Sequence, residues 1–110
     1  MNKYHNKKTT IDGILFDSKR EGNYYTKLKL MQNAGLIWNL ELQKKYILQA
    51  SFTFNGKKIR EISYYADFVY EDKDGLHVVD VKGGNATKTD VYKLKKKLFI
   101  KKYGIDIEEI

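Results

Sequence analysis

The chain has 110 residues, 42% of them apolar and 14% aromatic, which suits one modest core and a single domain. It contains no cysteine, excluding a disulfide framework and thiolate metal sites and pointing to a cytoplasmic protein. No run approaches the roughly 18 apolar residues of a membrane span, and the polar, lysine-rich start lacks a signal peptide's apolar stretch. With 21 Lys and Arg against 14 Asp and Glu, the net charge of +7 concentrates polyanions around the protein, so nucleic acid is the leading partner, with neither a membrane nor a small-molecule cofactor expected.

No linker or repeat divides the chain, so residues 1–110 read as one domain, with residues 1–10 a loose basic arm. Residues 11–16 predict a short strand. Ser18-Lys19-Arg20-Glu21 reads as a capping box that opens a helix carrying Tyr24, Tyr25, Leu28, Met31 and Gln32, ended by Gly35. Residues 40–54 favour strand, and Asn55-Gly56 is a hairpin signal leading into a long second strand over residues 58–71. The two-residue repeat puts Ile62, Tyr64, Ala66, Phe68 and Tyr70 on one face of that strand. Ser63, Tyr65, Asp67 and Val69 take the other, so Asp67 leaves the more apolar face.

After a polar turn at residues 71–75, residues 76–82 form the next strand, ending at Gly83-Gly84. A second amphipathic helix spans residues 89–103, with Val91, Leu94, Leu98 and Phe99 inward and Lys95, Lys96, Lys97, Lys101 and Lys102 largely outward. Gly104 ends it, and residues 105–110 make a last short strand. The order helix, three antiparallel strands, helix, strand implies an α/β (α+β) fold, a mixed sheet flanked by helices.

Asp80-Val81-Lys82 places a carboxylate and an amine two residues apart on one strand, hence on one face. Alone, such a pair is ordinarily a solvated ion pair. Here it ends an apolar run and precedes two glycines that permit close approach of a ligand. The turn decides whether Asp67 joins it. A two-residue loop at Lys73-Asp74 sets Asp67 opposite Asp80, and one at Asp74-Gly75 sets it opposite Lys82, whereas a three-residue loop sends Asp67 to the other face. Two carboxylates side by side repel unless a cation lies between them, and hard oxygen donors without cysteine favour Mg²⁺ or Mn²⁺.

This order of elements, with Asp67 followed by Asp80-Val81-Lys82, resembles the PD-(D/E)xK nuclease superfamily and its restriction-endonuclease-like core. More narrowly, Phe16-Asp17-Ser18-Lys19-Arg20-Glu21, Tyr64-Tyr65-Ala66-Asp67-Phe68, Val79-Asp80-Val81-Lys82-Gly83 and Tyr92-Lys93-Leu94-Lys95-Lys96-Lys97 are similar to a branch of small phage and prophage proteins. The resemblance implies a metal-dependent DNA endonuclease, encoded by a phage or prophage and working in the bacterial cytoplasm. In it Asp67, Asp80 and the Val81 carbonyl hold the metal, Glu21 contributes directly or through water, and Lys82 orients or deprotonates the attacking water. A divalent ion suits that chemistry, because it acidifies water and neutralises charge building on phosphoryl oxygens. Ala66 stands where the superfamily's proline usually precedes the aspartate.

Lys95 and Lys96 are candidate phosphate contacts, although an amphipathic helix turns lysines to solvent anyway. Gln43, in Leu42-Gln43-Lys44, resembles a superfamily position near the site. His5 and His77 are the only histidines, and a histidine metal centre is set aside. At this size a separate recognition domain has little room, so structure-selective cutting, for example of a branched junction by a homodimer, is expected over reading of a long sequence. The alternatives are a non-catalytic DNA- or protein-binding module on the same scaffold, and a plain α/β interaction protein with fortuitous carboxylates.

Overall fold

The computed structural model describes residues 7–82 and 88–110. The glycine pair Gly83-Gly84, His5 and most of the expected N-terminal arm therefore lie outside the described residues. Two compact units are formed, Met1–Leu40 with Tyr70–Leu76, and Glu41–Val69 with His77–Ile110. Among the described residues no helix is long and apolar enough to cross a membrane.

In the first unit, the single strand expected over residues 11–16 is instead a hairpin, β1 (Thr9–Ile11) and β2 (Ile14–Phe16), paired Thr9 to Phe16 and Ile11 to Ile14. The cause is Asp12-Gly13, whose φ values of 53° and 76° form the left-handed two-residue turn that matches strand twist. Thr9 and Thr10 are thus strand residues and not part of a loose arm. Helix α1 (Lys19–Asn33) starts as expected, with Ser18 Oγ accepting the Glu21 N–H at 3.1 Å. Its end also follows the sequence. The Gly35 N–H donates to the Gln32 carbonyl at 3.0 Å and the Leu36 N–H to Met31 at 2.9 Å, a Schellman arrangement that left-handed Gly35 permits. The helix sits close on β1 at Gly22, where an added Cβ would lie 2.8 Å from Thr9 Cγ2. Tyr25 packs on Phe16, ring centroids 5.0 Å apart, and donates to Asp12 Oδ2 at 3.0 Å.

The remaining elements are β3 (Trp38–Gln49), β4 (Phe52–Phe54), β5 (Lys57–Ile59), β6 (Ile62–Asp72), β7 (Gly75–Asp80), α2 (Asp90–Tyr103) and β8 (Glu108–Glu109). Strands β3, β6, β7 and β8 form one four-stranded sheet in that order. β6 and β7 are joined by Lys73-Asp74 alone, the first of the two-residue connections expected, and so short a link joins only antiparallel neighbours. β7 and β8 are parallel, pairing Val79 with Glu108 and Asp80 with Glu109. The protein is therefore α+β, with a mixed sheet and two helices.

Two expectations about strands need correction. The long strand over residues 58–71 is broken after Ile59, because Asn55-Gly56, at φ 50° and 74°, folds β4 and β5 into a separate two-stranded hairpin. The strict alternation along β6 also fails. The second unit's core takes Tyr64 and Ala66, then Val69, a step of three. Phe68 and Val69 are both buried, so the strand is covered on both sides there and apolar residues need not alternate.

Helix α2 packs through Tyr92 and Phe99 on a core of Tyr46, Leu48, Tyr64, Ala66, Val69, Val78 and Ile107. Phe99 meets Tyr46 edge-on at 5.1 Å and Tyr64 at 5.7 Å, contacts worth about 0.5–1.5 kcal/mol each beyond their buried area. Thr89 caps the helix through the Tyr92 N–H, and left-handed Gly104 ends it as expected. The inward face is rotated from the expected one. Val91 and Leu94 are exposed, while Lys95 and Lys96 are half-buried, because the aromatic side chains of Tyr92 and Phe99 choose which side faces the sheet.

Candidate active site

Asp80 closes β7 with its side chain inside the second unit, the residue only 8% exposed. A buried carboxylate needs partners. The Tyr64 hydroxyl donates to Asp80 Oδ2 at 2.7 Å, and Lys82 Nζ lies 3.0 Å from Asp80 Oδ1. Burial and the Asp80 charge push the Tyr64 pKa well above the usual tyrosine range.

Lys82 is held as tightly as its partner. Its ammonium lies 3.3 Å from the Tyr92 ring centroid, against the negative face of the ring. Its backbone N–H donates to the Ile110 carbonyl at 2.8 Å, and the Ile110 N–H donates to the Asp80 carbonyl at 2.9 Å. β8 thus fixes both residues from the outer side. Tyr92 is anchored in turn, its hydroxyl donating to Glu109 Oε2 at 2.7 Å; burial and that hydrogen bond raise its pKa far above the usual range. Lys88 and Lys96 approach the Glu109 carboxylate at 2.8 and 3.1 Å, and Lys88 first among its partners lowers the Glu109 pKa to about 2.

Asp67 arrives from β6. Its Oδ2 accepts the Val81 N–H at 2.8 Å, and its Oδ1 accepts from Gln43 Nε2 at 3.1 Å. The amide of Gln43 comes from an unusual backbone: within β3 its φ is 52°, a left-handed conformation that costs a non-glycine residue roughly 1–3 kcal/mol and persists where the surroundings impose it. Despite these donors and the nearby Lys82 charge, the Asp67 pKa is raised, first by burial and then by the charge of Asp80. Negative charge is under-compensated at this point.

Oxygen donors and an excess of negative charge are what a small divalent cation requires. Among the described residues no three His, Asp or Glu side chains form a ready cage, but Mg²⁺ commonly takes only one or two carboxylates and completes its shell with water and substrate phosphate. Asp67 and Asp80 fit that pattern. Among the described residues each oxygen of the pair has a partner, and a carboxylate can accept about four bonds in all.

A family model described as "Protein of unknown function (DUF1064)" matches residues 1–108. The chain belongs to this family. Comparison with curated proteins and with solved structures returns no match.

In this DUF1064 protein, then, five of the residues expected at the site, Gln43, Asp67, Asp80, Val81 and Lys82, fall within one unit and are linked by hydrogen bonds or an ion pair. Glu21 belongs to the other unit, where its N–H serves the Ser18 cap. Lys96, expected to face outward, is paired with Glu109 and, at 3.6 Å, Asp106, because the acids of the last strand and its approach lie beside that face of α2. His77 pairs with Glu108 across β7 and β8, Nδ1 to Oε2 at 2.6 Å, the ordinary role for a strand histidine. Sequence reasoning missed Tyr64, Tyr92 and Glu109. The tyrosines were hidden by their apolar patterning, and the two-residue β8 is too short to display a pattern.

Proposed function

We propose that this protein is a metal-dependent DNA endonuclease on a restriction-endonuclease-like core, cutting branched or junction DNA in phage or prophage DNA metabolism within the host cytoplasm. The observation that supports it most is the pair Asp67 and Asp80 on neighbouring strands, the Asp67 pKa raised first by burial and then by the Asp80 charge, with Lys82 fixed beside them. Asp67, Asp80 and the Val81 carbonyl would hold Mg²⁺ or Mn²⁺. When bound, the ion supplies charge neutralisation at the phosphoryl oxygens and acidifies attacking water. Tyr64 orients Asp80 by donating to one oxygen, leaving the other to Lys82. Lys82, gripped between Asp80 and the Tyr92 ring, is placed to orient the nucleophile or take its proton.

The test is cleavage of linear, nicked, flapped and four-way DNA with Mg²⁺, Mn²⁺, Ca²⁺ or chelator. Cutting with Mg²⁺ or Mn²⁺ is expected, with Ca²⁺ supporting binding better than turnover because it is larger and less demanding of geometry. Undiminished cutting in excess chelator defeats the mechanism, and DNA binding without cutting under any ion leaves a non-catalytic module.

The resemblance assigns the Glu21 carboxylate to the same chemistry, while the sequence reads the residue as part of a capping box whose Ser18 accepts its backbone N–H. Glu21→Gln keeps the cap chemistry and removes the charge. It should melt with the parent and yet need far more Mg²⁺ or fail to cut. Ser18→Ala should do the reverse, losing about 1 kcal/mol of stability and little activity. Parental cleavage at limiting Mg²⁺ by Glu21→Gln would confine Glu21 to the helix.

A further inference from the structure

The β4–β5 hairpin is formed entirely of exposed residues. Residues 49–61 are exposed without interruption, so the hairpin stands in solvent on both faces. Its pairing, Phe52 with Ile59 and Phe54 with Lys57, projects these four side chains from one face, since opposite residues of an antiparallel pair share a face. Phe52 is 46% exposed, Phe54 62% and Ile59 38%. An apolar face of this kind on so short a hairpin marks an interaction site. Its charge indicates the partner: Lys57, Lys58 and Arg60 lie within residues 52–60, and no acid does. Lys57 shares the apolar face while Lys58, opposite Thr53, projects from the other, so a second copy packed here would bring like charges together, whereas a polyanion wrapping the hairpin is attracted.

We propose that this hairpin is a DNA-binding arm that sets Phe52 and Phe54 against unstacked bases while Lys57, Lys58 and Arg60 contact phosphates. The proposal rests on DNA being the partner, as the function above requires, and specifies which part of it is recognised. Paired, stacked bases offer no free π-face to a phenyl ring. A gap, flap or junction does, and stacking on an aromatic ring tolerates any base. The arm is also within reach of the site. Ile62 at its base is five residues along β6 from Asp67, about 17 Å at roughly 3.3 Å per residue, and three more residues add about 10 Å. The feature contacted would lie within about eight base pairs of the scissile bond, at about 3.4 Å per step.

The test is fluorescence anisotropy of labelled DNA with the full chain in Ca²⁺, comparing a continuous duplex with the same duplex carrying a short single-stranded gap. Phe52→Ser/Phe54→Ser should bind the gapped DNA about thirtyfold more weakly or worse, and the duplex nearly unchanged, from the loss of two stacking rings. Lys57→Ala/Lys58→Ala/Arg60→Ala should weaken both and flatten the slope of log affinity against log salt by up to about 2.7. Because both faces are exposed, the variants should melt with the parent. Parental affinity of the Phe variant for gapped DNA overturns the proposal, as does its conversion from a dimer to a monomer in light scattering, which would make this face a contact between copies. A protein that prefers gapped DNA through Phe52 and Phe54 but cuts nothing upholds the arm and overturns the nuclease. Efficient cutting with gap preference intact in the Phe variant does the opposite.

Discussion

Lys82→Met should cut DNA slower by ~10² or more, the usual cost of removing a positioned orienting or proton-transfer group. The structure adds a stability effect that separates this lysine from a surface charge. The side chains of Lys82 and Asp80 are only 15% and 11% exposed, and removing one member of a buried pair leaves the other's charge uncompensated, at a cost of about 3–5 kcal/mol where no other donor helps. The Tyr64 hydrogen bond remains, so the loss should fall below that range. Added Mg²⁺ should then raise the melting temperature of the variant more than that of the parent, because a cation at Asp80 replaces the missing ammonium. Thermal melts with and without Mg²⁺, beside single-turnover cleavage, check both parts. Parental cleavage rates in Lys82→Met would reduce this lysine to a structural counter-ion.

Asp67→Asn should abolish cutting while leaving the chelated protein as stable as its parent, or more so. The sign follows from the direction of the Asp67 shift. Its folded-state pKa lies above the ordinary 3.8, so folding favours the protonated form, and stability is lost as pH rises from the unfolded-state pKa through the folded one. Above that window the ionised Asp67 is a net cost in the absence of a cation. The substituted amide removes the charge yet still offers an acceptor to the Val81 N–H, and Gln43 can turn its own amide to suit. Melting curves in chelator across this pH range, with cleavage at neutral pH, read the two effects apart. A large drop in melting temperature for Asp67→Asn in chelator would mean that the charge stabilises the fold, contrary to the burial that raises this carboxyl's pKa.

Much of this arrangement was legible in the residues, for identifiable reasons. Ser18, Gly35, Asn55-Gly56 and Gly104 act through local backbone chemistry, which sequence displays directly, and each did as expected. The meeting of Asp67 with Asp80-Val81-Lys82 was expected from the short turn, although the strand parity assumed with it does not hold past Ala66. Asp12-Gly13 carried the same kind of turn signal, but the run from Ile11 to Phe16 around it reads easily as a single strand. What was not legible depends on packing. The slip along β6 and the rotation of α2 are set by which aromatic rings fill the core. The partnership of Tyr92 with Glu109 joins residues 17 positions apart through a strand only two residues long.

The two buried phenols also settle the direction of proton traffic. Tyr64 and Tyr92 both have pKa values raised by burial and by the carboxylates they touch, so each keeps its proton at neutral pH and each hydrogen bond runs from phenol to carboxylate. Protonated at neutral pH, neither serves as the general base for an incoming nucleophile. They act as fixed dipoles, and a rate that changes with pH near neutrality must report a different group.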